Sequence, residues 1–181
     1  FDTIIEKLKE YKLFLNNKLP VSIKPNEDFY IYIIKIKNKK IYYNPLIKKN
    51  GPNDDCFGTL YSNTGEKVPI KLKFNLINSS NKSNLDGSTI SIYYEETWKV
   101  MVDKGYIARK TEYYYLCYDG ELFSFNDENL DSHEWKIEVV DKKTQAFNNK
   151  TFFRLYNVIK KGYLTFGSGQ TQCNYPKKNN C

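Results

Sequence analysis

From residue 28 onward the chain is written in short runs where apolar and polar residues alternate, the period that puts one face of a strand inward and the other outward. The runs are FYIYIIKIK (29–37), KIYYNPL (40–46), FGTLYS (57–62), VPIKLKFNLI (68–77), STISIYY (88–94), TWKVMV (97–102), TEYYYLCY (111–118), ELFSF (121–125), EWKIEVV (134–140), TFFRLYNV (151–158) and GYLTFGS (162–168). Turn formers separate them at NTGE, LDG, DKG, YDG and KKG, as expected of antiparallel hairpins. Only the first segment has a helical period: in FDTIIEKLKEYKLFLNN, Ile4, Ile5, Leu8, Tyr11 and Leu15 fall on one side with Asp2 placed to cap. Pro20 and Pro25 end that pattern. The expectation is therefore an N-terminal helical extension over 1–20 and a mostly all-β domain over 21–181.

Composition supports the strand reading, because the 16 Tyr and 11 Phe join Ile and Val as residues suited to a half-buried pleated surface. Three segments share an aromatic strand, a tight turn and a second strand: FYIYIIKIKNKKIYYNP, EYYYLCYDGELFSFN and FFRLYNVIKKGYLTFGS. A threefold unit of this kind is what a β-trefoil leaves in sequence, although a lipocalin-like barrel leaves nearly the same pattern.

The formal charge of +7 gives the surface an attraction for anions. The basic residues are dispersed in short runs at 35–40, 47–49, 158–161 and 176–178. No nucleic-acid-binding motif accompanies them, so nucleic acid is not expected as a partner, whereas acidic glycans are. No apolar run is long enough to cross a membrane as a helix. Cys56, Cys117, Cys173 and Cys181 form no CxxC pair, and the single His133 does not complete a zinc set with them. Two disulfides in an oxidising compartment, with no metal, are the expectation, and four cysteines allow three pairings. Sequons at Asn78, Asn81 and Asn149 fit a secreted or cell-surface protein.

Several blocks, taken in chain order, resemble the Kunitz soybean-trypsin-inhibitor family of β-trefoil protease inhibitors. They are NEDFYIYI, DDCFGTLYSNTGEKVPIKLKF, EWKIEVVD, TFFRLYNV and GYLTFGSGQTQC, together with a long, long, short spacing of the four cysteines. The likeness runs in broken blocks from 26 to 181. The chain departs from the family in its N-terminal extension, in extra residues between Cys117 and Trp135, and in Gly167-Ser168-Gly169 where a cysteine usually stands. The resemblance implies the pairs Cys56–Cys117 and Cys173–Cys181. It further implies a protease-binding loop at INSSNKSN, in which Asn81 precedes Lys82, the residue entering a trypsin-like pocket, and Ser83 follows the scissile bond, with Asn26 as loop support. Such inhibition needs no catalytic group in the inhibitor, since a loop held rigid loses little entropy on docking.

The remaining chemistry is sparse. His133 in NLDSHEW is a loop histidine, Gly167-Ser168-Gly169 reads as a turn, Trp98 and Trp135 read as core, and Tyr113 and Tyr115 share one strand face. With no nucleophile and base set apart by spacing, the chain is not expected to be an enzyme or to carry a cofactor. The leading expectation is a secreted inhibitor of a trypsin-like serine protease. The alternative is a non-inhibitory β-trefoil module for adhesion or complex formation, binding a surface receptor or complex subunit; a lipocalin-like carrier stands third.

Overall fold

A computed structural model describes residues 19–49, 59–62, 69–119, 122–126 and 131–164. The expected helix over most of 1–20 lies outside these residues, as do Cys56, Cys173, Cys181 and Gly167-Ser168-Gly169. The described residues are mostly β, with only two single-turn 3-10 segments, Asp103–Gly105 and Asp131–His133.

Ten strands are described: β1 (Tyr32–Lys37), β2 (Lys40–Lys49), β3 (Thr59–Ser62), β4 (Lys73–Asn78), β5 (Thr89–Val102), β6 (Tyr106–Asp119), β7 (Leu122–Asn126), β8 (Trp135–Val139), β9 (Phe153–Asn157) and β10 (Gly162–Tyr163). They join in the order β1-β2-β3-β7-β6-β5-β8-β9-β10, with β4 added on β5, and every pairing is antiparallel. The three segments with a shared strand-turn-strand pattern are all antiparallel hairpins, β1–β2, β6–β7 and β9–β10. In the first, Asn38 and Lys39 both take positive φ, 51° and 60°, the paired left-handed conformation whose twist matches that of the flanking strands. Bridges between Phe29 and Leu72 and between Ser22 and Asn148 tie the start of the described chain to later strands.

The core follows the alternation. In β8, Trp135, Ile137 and Val139 are buried while Lys136 and Glu138 face out. These three pack with Phe29, Leu46, Leu72, Phe74, Ile92, Leu116 and Leu155 in one cluster. Phe74 lies edge-on to both Phe29 and Phe147, with centroids at 5.7 and 6.3 Å, a geometry aromatic quadrupoles favour. Trp135 is core as its sequence position indicated, and its indole N–H donates to the Leu116 carbonyl at 2.9 Å.

Two sequence expectations need correction. The runs 88–94 and 97–102 are one strand, β5, which passes through Glu95 and Glu96 without a break. Lys73 lies 3.0 Å from Glu95, a charged pair at residues that the apolar runs leave out. Likewise β6 begins at Tyr106, five residues before the run that alternation marks, because register against β5 from Tyr93↔Tyr115 to Val102↔Tyr106 extends it. Together they form a hairpin whose inner part is buried on both faces at residues 90–94 and whose outer part is exposed at Glu95, Thr97, residues 99–102 and residues 107–111. Trp98 is opposite Lys110 by register, and its side chain, expected in the core, lies outside what the structure describes.

Candidate functional site: a braced polar loop

The stretch NSSNKSNLDG joins β4 to β5, and composition alone would leave it slack. Instead, Ser80 and Ser88 close its base: the Ser80 N–H donates to Ser88 Oγ at 3.1 Å, and their hydroxyls lie 3.1 Å apart. Within it the Leu85 N–H donates to the Lys82 carbonyl at 3.0 Å, so Lys82 to Leu85 form a turn. Asn81 and Leu85, with φ of 61° and 61°, flank it in the left-handed region, which asparagine tolerates better than most residues.

The loop is held from outside by the segment after β8. Ser83 Oγ donates to the Gln145 carbonyl at 2.6 Å and the Asn84 amide donates to the Thr144 carbonyl at 2.8 Å. At its centre is Asp86, nearly buried, whose Oδ1 accepts from the Val139 N–H at 2.9 Å and from Lys142 Nζ at 2.8 Å. Lys82 Nζ approaches Oδ2 at 3.4 Å. The Lys142 ammonium above all, with the Val139 amide and Lys82, holds this carboxyl below the usual carboxylate range, against the opposing effect of burial. Gly87, at φ 81°, then donates to the Ile137 carbonyl at 2.7 Å.

Gly87→Ala is expected to destabilise the protein by about 1–2 kcal/mol through backbone strain alone. The added Cβ would meet only Ser80 Cβ, at 3.7 Å, which is ordinary contact. A denaturant titration checks this, and an unchanged midpoint would remove the left-handed requirement.

Residues 81–84 and 142–145 line a shallow concavity of about 680 Å³. Lys82, Lys142 and Lys143 stand around it, with the first two sharing the one carboxylate of Asp86. Asp141 turns its own carboxylate back onto the Lys143 N–H at 3.1 Å. The cavity wall is therefore polar and carries three ammonium groups over a braced backbone, the kind of surface that receives an anionic group.

Asn81, Lys82 and Ser83 thus fall together in one loop. The Lys82 side chain is 62% exposed, and its backbone lies in a turn. Asn26 is placed elsewhere: its N–H donates to the Phe74 carbonyl at 2.9 Å, its Oδ1 accepts from the Tyr93 hydroxyl at 3.0 Å, and its φ is 63°. Its bonds run to β4 and β5 rather than to the loop. The sequon residues Asn78, Asn81 and Asn149 are exposed. Asn149 already uses its amide, accepting from the Val21 N–H at 2.9 Å and donating to the Leu19 carbonyl at 3.3 Å.

Cys117 is buried on β6, with Sγ 3.3 Å from the Tyr115 carbonyl. His133 is half-buried in its 3-10 turn, its ring 5.5 Å from that of Tyr115. Tyr113 and Tyr115 do share a face, where both pack on Tyr93 at 5.9 and 5.7 Å. No group of three or more His, Cys, Asp or Glu able to hold a metal occurs among the described residues. Sequence reasoning missed Asp86 and the three-lysine wall. The signal for Asp86 was a carboxylate directly before a glycine at a strand start, with Lys82 four residues earlier, but Lys142 and the Val139 amide, its two shorter contacts, are more than 50 residues away.

Comparison with known proteins gives no relative: no family model matches the chain, and no curated protein or solved structure matches it.

Proposed function

We propose that the protein is a secreted, non-enzymatic β-trefoil module that takes an acidic group of a protein or glycan partner into the concavity between residues 81–84 and 142–145. The observation that carries this reading is the wall of Lys82, on the loop braced by Asp86, with Lys142 and Lys143 from the segment after β8. A pre-ordered loop loses little freedom when a ligand arrives. The three antiparallel hairpins built from the repeated segments support the trefoil. The pair Cys56–Cys117 rests on the resemblance, since Cys56 lies outside the described residues. Cys173–Cys181 rests on the resemblance alone.

The test is calorimetric titration with a sulfated heparin oligosaccharide and with sialyllactose. Binding of either should weaken at least severalfold in Lys142→Gln with Lys143→Gln, and should fall with added salt. Equal affinity of the wild type and the double variant sinks the reading. So does a glycan on Asn81, found by mass spectrometry of the secreted protein, since it would occupy the concavity.

A second reading is favoured by the exposure of Lys82 on a rigidly supported loop: inhibition of a trypsin-like serine protease through Lys82–Ser83. It requires the Lys82–Leu85 turn to open and Lys82 to leave Asp86, because such docking pairs an extended backbone with the enzyme. Titration of trypsin with the wild type and with Lys82→Ala decides it. Inhibition at micromolar concentration that disappears in the variant supports it, and no inhibition removes it.

A further inference from the structure

The outer part of the β5–β6 hairpin is an arm. Beyond Tyr94 and Tyr114, neither strand has a strand partner other than the opposite one among the described residues. Each outer edge is therefore open, a row of backbone N–H and C=O groups that a further strand can take up. Along the edge of β6 the order from tip to body is Ala108, Arg109, Lys110, Thr111, Glu112, Tyr113. All of these are exposed except Glu112, which is half-buried.

Lysine on an edge usually turns an incoming strand away. A second copy running antiparallel, however, presents the same order reversed, and its carboxylate arrives where the first copy has its cations. We propose that two copies of the chain join by antiparallel pairing of their β6 edges about a two-fold axis at Thr111. Lys110 of each copy then lies directly opposite Glu112 of the other, and Arg109 opposite Tyr113. Outward-facing backbone groups recur at every second residue, so the axis must pass through a residue. Moving it to Lys110 or to Glu112 sets like charges face to face, which destabilises a cross-strand pair. Charge thus selects one register.

The side chains suit that register. Lys110 and Glu112 are 2.7 Å apart on one face of their own strand, so two copies close a square of four alternating charges. On the other face Thr111 is small and its hydroxyl lies 3.0 Å from that of Thr97 across the hairpin, which leaves no bulky group at the axis. Arg109 gains most. In the single molecule it stands opposite Lys99, both exposed and with no carboxylate partner among the described residues, an arrangement that destabilises a hairpin. In the pair it meets the ring of Tyr113 of the second copy, a side chain 47% exposed and able to accept a cation on its face. The edge of β5 fits less well: a seam about Thr97 sets Lys99 opposite Glu95, but Glu95 is already held by Lys73 at 3.0 Å, and Arg109 stays unpaired. On β6 the seam ends where β7 takes the edge, at Tyr115↔Asn126. So short a seam belongs with the small, reversible interfaces.

The experiment is sedimentation velocity of the whole chain over a wide concentration range. A reversible dimer is expected, weakening with added salt. Lys110→Glu and Glu112→Lys, made singly, each set like charges opposite one another and should weaken it about tenfold or more, with circular dichroism unchanged. An equal mixture of the two folded variants should associate as the wild type does, since each then brings the charge the other lacks, and so should the chain carrying both changes. A wild type that stays monomeric throughout overturns the proposal, as does a dimer that neither single variant weakens or a mixture that fails to associate. A dimer lost in Lys99→Glu but kept in Lys110→Glu overturns it by moving the contact to the edge of β5. Growth beyond two copies also overturns it, because a seam closed by a two-fold axis stops at the dimer.

Discussion

Trp135→Ala is expected to lower the stability of the protein by about 3–5 kcal/mol, enough to leave a domain of this size largely unfolded at moderate denaturant. Trp135 is 0% exposed and is the largest fully buried side chain described. Its neighbours Ile90 and Asn157 are its cross-strand partners on β5 and β9, so the indole lies where three strands meet. Alanine would leave a cavity that rigidly paired strands fill only in part, and the loss combines transfer and cavity contributions. Trp135→Phe separates the two effects: most of the volume stays, but the N–H that donates to the Leu116 carbonyl at 2.9 Å is lost. That variant should lose about 1–2 kcal/mol. Equilibrium unfolding in guanidinium measures both, and a Trp135→Ala loss below about 1 kcal/mol would mean that β8 is not the centre of the core.

The contrast between β8 and the arm explains what could be read in the sequence. In EWKIEVV each inward position is apolar and each outward one polar or charged until the last residue, so alternation locates the strand and its buried face together. In β5 the signal divides. Residues 90–94 are buried on both faces and read as strand, but Glu95 and Glu96 read as a break, and YIARK at the start of β6 has no period of its own. Those residues are strands because each has a partner across the hairpin, and pairing is a property of two segments that neither displays alone. The loop shows the same limit. Its composition marked it as a connection, and its turn residues were legible. What fixes it was not: Ser83 and Asn84 reach carbonyls 62 and 60 residues away. Asn26 was legible as a turn residue, and its positive φ fits that, but its hydrogen-bond partners depend on how β4 lies beside β5.

The loop's dependence on Asp86 yields an expectation with a definite pH signature. Asp86→Ala should destabilise the protein by about 3 kcal/mol at neutral pH, because the Val139 N–H loses its acceptor and two ammonium groups lose their shared anion. Asp86→Asn keeps an acceptor near Val139 but not the charge, and should lose about 1–2 kcal/mol. The folded carboxyl titrates below its ordinary value, chiefly because of Lys142. A group with a depressed folded pKa contributes its stabilisation fully above the unfolded value, near 3.9, and loses it as pH falls from there through the folded value. The gap between wild type and Asp86→Asn should therefore be constant from neutral pH down to about 5, then narrow steadily below about 4. Denaturant midpoints at pH 7 and pH 3 measure it; an identical gap at both would mean that shape and hydrogen bonding, not the carboxylate charge, hold the loop. Lys142→Gln should remove most of the pH dependence while leaving the Val139 bond in place, since Lys142 is the largest contributor to the shift. Lys142 serves both the brace and the cavity wall, whereas the Lys143 side chain lines the concavity without touching Asp86, so a loss of ligand affinity in Lys143→Gln at unchanged stability separates the binding surface from the brace.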